Sequence, residues 1–250
     1  MSIPFATPEI SKQVVATSAS DVTALTSEWF LVFGASTLRV VDELRAETGT
    51  LEQRIRHRFA SVETTSPGAW TTQTTGRSAN GIGTTDIDIS ATTDQMWAQI
   101  ALAVRAPSGV AEGQSMIRGF VDTPARIVAN RTIEISPEMN SGTYGYLPLC
   151  EPVGALGLDG MMFVVKYTGV AGTLLFRPTW RTFATNPELP DAWSDLGSGD
   201  QSVTADGNYN SGTLATAPGA GKAFAQPGLK VGGSGTFRGT LRVLVAAKWP

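Results

Sequence analysis

The chain reads GTLEQRIRHRFASVETTSPGAW from Gly49 to Trp70 and GTLLFRPTWRTFATNPELPDAW from Gly172 to Trp193. Laid over one another without gaps, 123 positions apart, the two stretches agree at eight places: Gly49/Gly172, Thr50/Thr173, Leu51/Leu174, Arg54/Arg177, Arg58/Arg181, Pro67/Pro190, Ala69/Ala192 and Trp70/Trp193. Average residue usage would give about one or two. Upstream, TLRVVDELRAETGTL (37–51) faces GMMFVVKYTGVAGTL (160–174) in the same register. A looser pairing sets KQVVATSASD (12–21) against ARIVANRTIE (125–134) after an insertion, and MWAQIALAVRAP (96–107) resembles FRGTLRVLVAAKWP (237–250) in character. The period is longer than a solenoid unit of roughly 20–50 residues and fits a duplicated domain. The expected division is an N-terminal arm over 1–9, a first domain over 10–122 and a second over 123–250. The small, Gly-containing APSGVAEGQ (106–114) reads as linker.

Within the first stretch, Leu51, Gln53, Ile55, His57 and Phe59 share one parity, and Glu52, Arg54, Arg56 and Arg58 the other. Such alternation places the two sets on opposite faces of a strand. The second stretch repeats it, with Leu174, Phe176, Pro178 and Trp180 against Leu175, Arg177, Thr179 and Arg181. A charged helix is the rival over 37–59. The equivalent VVKYTGVAGTLLFRPTW is β-branched, aromatic and interrupted by Gly and Pro, at about 1 and 3 kcal/mol each in a helix. Both copies are therefore strands, with AETG (46–49) and GVAG (169–172) expected as hairpin turns. Further strands are expected at 28–34, 84–90, 115–122, 131–136 and 143–149, and the low-bulk 194–235 as an extended loop with one or two weak strands. The fold class is all-β: two tandem antiparallel β-sandwich or jelly-roll-like domains related by internal duplication.

Of 250 residues, 42% are hydrophobic and 16% charged, and the net charge is −3. The chain lacks the overall basic field that general nucleic-acid binding requires. A single cysteine, Cys150, excludes an intrachain disulfide and a cysteine-based zinc site. MSIPFATPEISKQ does not read as a signal peptide, and apolar runs such as MMFVV fall far short of the ~20 residues that span a bilayer. The expectation is a soluble protein made in a cytoplasm, without direct nucleic-acid or membrane partners and without cofactor or metal.

Few residues invite chemistry. Arg54/Arg58 and Arg177/Arg181 repeat on an outward strand face, where they suit a subunit interface or an anionic ligand, or pair with nearby carboxylates. Trp70 and Trp193 each follow a Pro-x-Ala turn; they form an aromatic platform for a sugar face or cap the sandwich core. His57, the only histidine, lies on the core parity and reads as half-buried rather than catalytic. APGAGKAF (217–224) fails as a phosphate loop, with Thr216 in place of the first Gly and Ala223 after Lys222. Asp86/Asp88 and the scattered Asp191, Asp195, Asp200 and Asp206 lack calcium-loop spacing and read as polar outward faces.

Tandem β-sandwiches with repeated, motif-poor strands give the whole chain a general similarity to virion proteins of tailed bacteriophages, such as capsid decoration or auxiliary head proteins and tail components. That resemblance implies a non-enzymatic structural protein in many symmetric copies, a homo-oligomer of three or more bound to other virion proteins, and localisation to a virion assembled in the host cytoplasm. The alternative is a carbohydrate-binding module with a glycan partner, using Trp29, Trp70, Trp193 and the Tyr144/Tyr146 pair. A hydrolase with an unmarked carboxylate pair ranks third. On the structural reading, Asp86→Ala or Glu63→Ala leaves function intact.

Overall fold

The computed structural model describes residues 3–61, 68–73, 77–90, 95–123, 125–135, 145–186 and 188–249. Every regular element among them is a strand. Contacts divide the chain into two compact units, Ser2–Pro124 and Ala125–Pro250.

The N-terminal unit contains β1 (Ile3–Ala6), β2 (Ile10–Ala16), β3 (Val22–Thr26), β4 (Phe30–Leu31), β5 (Thr37–Thr48), β6 (Glu52–Ala60), β7 (Thr71–Thr72), β8 (Gly81–Asp88), β9 (Trp97–Arg105) and β10 (Ala111–Thr123). Two antiparallel sheets result. In one, β10 lies between β5 and the pair β1 and β2, with β8 beyond β5; in the other, β9 lies between β6 and the pair β3 and β4, with β7 beyond β6. Leu38, Val40, Ile117 and Val121 of the first sheet meet Leu25, Ile55, Ile100 and Leu102 of the second in one buried cluster. A second cluster around Leu44, Leu51, Val104 and Ala111 fills the end where the chain turns between sheets.

The C-terminal unit contains β11 (Ala125–Ile135), β12 (Gly145–Pro148), β13 (Val153–Gly154), β14 (Gly160–Phe183), β15 (Ser194–Asp195), β16 (Gln201–Val203), β17 (Gly207–Asn210), β18 (Leu214–Ala215) and β19 (Phe224–Lys248). Here β14 and β19 pair along almost their whole length. Both halves of each contribute to one core: Met161, Phe163 and Val165 with Leu174 and Phe176, and Leu229 and Val231 with Leu241, Val243 and Val245.

The pairing registers of the two units coincide. Leu38↔Val121, Val41↔Arg118, Arg45↔Gln114 and Thr48↔Glu112 in the first become Met161↔Ala247, Val164↔Leu244, Thr168↔Thr240 and Ala171↔Arg238 in the second. Beyond the bend, Glu52↔Arg105 and Arg58↔Gln99 become Leu175↔Gly232 and Arg181↔Gln226. β5 and β6 together are thus β14, and β9 and β10 together are β19. Even the edge pairs match: Arg56↔Thr72 and His57↔Thr71 against Thr179↔Asp195 and Trp180↔Ser194.

Several expectations are corrected by this arrangement. AETG and GVAG are not hairpin turns. β5 and β6 belong to different sheets, and Gly49 and Gly172 mark the corner where one strand passes between layers. Both have positive φ, 67° and 73°. A Cβ at Gly49 would run into the carbonyl oxygen of Val110, and at Gly172 into that of Thr236. The expected linker 106–114 is the matching corner between β9 and β10; small residues serve a tight crossing as well as a boundary. The expected arm is not free, because Ile3–Ala6 pairs with β10 and the Thr7 hydroxyl accepts from Gly119 N at 2.9 Å. With β1 and β2 against β10 as β11 lies against β19, Ile10 opposite Ile117 corresponds to Arg131 opposite Val243. The looser pairing of 12–21 with 125–134 was therefore out of register. So was that of 96–107 with 237–250, since β9 corresponds to the first half of β19.

That first half, Phe224 to Gly233, lies inside the supposed 194–235 loop. It is largely buried, because its low bulk lets rings pack onto it: a Cβ at Gly228 would meet the Trp193 indole, and at Gly233 the Phe237 ring. The rest of 194–215 supplies the four short edge strands β15, β16, β17 and β18 on β14. Part of the strand expected over 143–149 appears as β12; Thr143 and Tyr144 lie outside the described residues.

Candidate functional site

The alternation of β6 and of the second half of β14 puts the four singled-out arginines on one face of their strands, half-buried, with Leu51, Ile55, Leu174 and Phe176 buried on the other. The arginines then divide into two kinds.

Arg58 and Arg181 are each built into the same three-part cluster. Arg58 donates through Nε and Nη2 to Gln99 Oε1 at 2.8 and 2.5 Å, and Gln99 Nε2 donates to the Ser27 carbonyl at 2.7 Å. Its guanidinium lies 4.0 Å from the Trp70 ring centroid and 5.6 Å from that of Trp29. Arg181 Nε donates to Gln226 Oε1 at 2.8 Å, Gln226 Nε2 to the Cys150 carbonyl at 2.6 Å, and the guanidinium lies 4.6 Å from the Trp193 ring. Both glutamines are buried. Ser27 and Cys150 occupy equivalent positions too, 123 apart like the arginines and tryptophans. Each cluster ties two central strands and an incoming loop together through one amide, with cation–π contact covering the arginine.

Arg54 and Arg177 instead face carboxylates. Arg177 Nη1 donates to Asp195 at 2.6 Å and its Nε lies 2.8 Å from Asp200; Lys230 reaches Asp195 at 3.7 Å. Arg54 and Arg56 lie 3.5 and 3.7 Å from Asp21, while Arg105 holds Glu52 at 2.6 Å.

The remaining candidates are accounted for locally. Asp86 takes a two-point bond from Arg39 at 2.7 and 2.9 Å, which lowers its pKa, chiefly through that hydrogen bond. Asp88 accepts from Ser90 N and Oγ. Asp191 is held by Lys222 and Thr182, and Asp206 accepts from Val170 N. His57 is buried beside Phe59, 5.3 Å between ring centroids, with Gln73 Nε2 at 3.3 Å from Nδ1; burial lowers its pKa. Burial and neighbouring Glu151 push the Cys150 thiol up to about 11. Tyr146, 40% exposed, lies parallel to Trp193 at 5.9 Å. Glu63 and Pro67 lie outside the described residues. Among the described residues no group of three or more His, Cys, Asp and Glu could hold a metal ion, and no helix is long and apolar enough to cross a membrane.

Sequence reasoning missed Gln99 and Gln226. The signal existed: in register, WAQIALAVR (97–105) and FAQPGLKVG (224–232) share Ala-Gln, Leu and Val.

No family model and no curated protein matches the chain. Solved structures to which it is similar include a chain of the infectious bursal disease virus Gx strain, at 9% identity and TM-score 0.33, over 99% of this chain and 77% of that one. Another is the tandem CBM22-1-CBM22-2 domain of Paenibacillus barcinonensis Xyn10C, at 8% identity and TM-score 0.27, over 96% and 93%. A third is the Endo-D glycoside hydrolase domain from Streptococcus pneumoniae R6, at 12% identity and TM-score 0.28, over 96% and 37%.

Proposed function

We propose that this chain is a non-enzymatic structural protein of a virion, of the capsid-decoration, auxiliary or tail kind, acting as a homo-oligomer in contact with other virion proteins. The observation that carries the reading is the duplicated Arg–Gln–Trp cluster. The arginines and tryptophans of these clusters lie half-buried on the face opposite the core, where their contacts fix strands and loops, so what the two units share there is scaffold. Leu156 and Leu189 stand at loop tips with 91% and 71% of their surface exposed, and Ile82 on edge strand β8 with 66%; these are points at which contact between protein copies can be probed by substitution. Electron microscopy of the concentrated chain tests the reading. Regular multi-copy particles or arrays are expected, and Leu156→Asp with Leu189→Asp should thin or abolish them. A field of single 26.3 kDa molecules at every concentration would refute it.

A further inference from the structure

The two units share a scaffold but not its filling. Asp42 pairs with Gly83 on neighbouring strands as Val165 pairs with Tyr209, and Gln53 holds the place of Phe176 in the common register. In the C-terminal unit, rings fill this place: Phe176 meets Tyr209 edge to face at 5.5 Å and Tyr167 at 5.9 Å. In the N-terminal unit it is a cavity of about 550 Å³ lined by Asp42, Gln53, Ile55, Arg77, Thr84 and Thr85 among others. Gly83 makes room for Arg77, whose guanidinium a Cβ there would overlap. Arg77 Nε and Gln53 Nε2 donate to the same Asp42 oxygen at 2.9 and 2.6 Å. Asp42 is 4% exposed and Gln53 1%, and Gln53 Oε1 has no hydrogen-bond partner among the described residues.

The scaffold does not require these groups, since the other unit builds the same layer from Val165, Phe176 and Tyr209. A buried ion pair is commonly no better than well-packed apolar side chains of similar volume, and an unpaired buried acceptor is destabilising. Departures from good packing of this sort collect where a protein binds something.

We propose that the mouth of the N-terminal sandwich binds a neutral, polyhydroxylated six-membered ring, that is, a monosaccharide unit. Its size follows from the cleft, about 550 Å³, left beside the Arg77 guanidinium, which itself stands where the other unit has its Tyr209 ring. Its charge follows from the lining, in which one carboxylate and one guanidinium cancel. Its chemistry follows from donors and acceptors: the Asp42 carboxylate accepts, the Arg77 guanidinium donates, and threonine hydroxyls do both, as vicinal sugar hydroxyls do in return. Ile55 offers an apolar contact for the ring's C–H face, the mixture usual in small-molecule sites. This inference does not depend on assembly into particles.

The test is an NMR titration of the full chain with millimolar methyl glycosides of glucose, galactose, mannose and N-acetylglucosamine. At least one should give saturable amide shifts centred on residues 53–55 and 77–85. Asp42→Asn with Arg77→Met, which leaves neither charge buried alone, should weaken binding at least tenfold. Gly83→Tyr with Arg77→Ala, which installs the other unit's ring, should abolish it. No saturable shift with the wild-type chain, shifts centred elsewhere, or stronger binding there of acetate or methylammonium than of any glycoside would overturn the proposal. The wild-type titration decides even where a variant fails to fold.

Discussion

Gln99 and Gln226 each hold an arginine with the oxygen of one amide and a loop carbonyl with its nitrogen. Removing the amide leaves a buried carbonyl and part of a guanidinium unpaired, so Gln99→Ala and Gln226→Ala should each lower stability by about 1–3 kcal/mol, read from urea denaturation midpoints. His57 gives a different signature. Burial lowers its pKa in the folded state, so the unfolded chain takes up a proton first as pH falls below about 6.5. Stability present above that value is lost as pH falls toward the folded pKa. His57→Gln should flatten the pH dependence of the midpoint between about pH 7 and 5, where carboxylates contribute little. The repeated arginines and tryptophans were legible from sequence because they sit in a gapless alignment. The glutamines were not, because they lie past corners of unequal length, in a segment whose glycines and proline hide a central strand.

Thr179, expected outward, is fully buried and Trp180, expected inward, is half-buried; elsewhere on β6 and the second half of β14 the alternation was legible, since a period of two needs no knowledge of neighbours. The corners were not, because a positive-φ glycine between two strands serves a hairpin and a change of sheet equally well. Only the partners separate them: β5 pairs with β10 and β8, and β6 with β9 and β7. Gly49→Ala and Gly172→Ala combine a left-handed backbone with collision against a facing carbonyl. Each should cost more than about 1 kcal/mol, whereas Gly68→Ala, in open space, should change little. Thermal or urea unfolding of the three variants checks this. The pocket at the N-terminal mouth could not be read from sequence either. Asp42, Gln53, Arg77 and Gly83 look unremarkable in separate segments, and stand out only when register sets them against Val165, Phe176 and Tyr209.

At the scale of the molecule, each unit has its own sheets and its own buried core. Residues 2–124 and 125–250, expressed separately, should each unfold cooperatively, as monitored by near-ultraviolet circular dichroism; a unit without a transition would contradict independent cores. The proposed function turns on self-association, which the mass of the purified chain in solution reads out. Light scattering after size exclusion, over a wide concentration range, should give a defined assembly of three or more 26.3 kDa chains. A monomer at every concentration would contradict it.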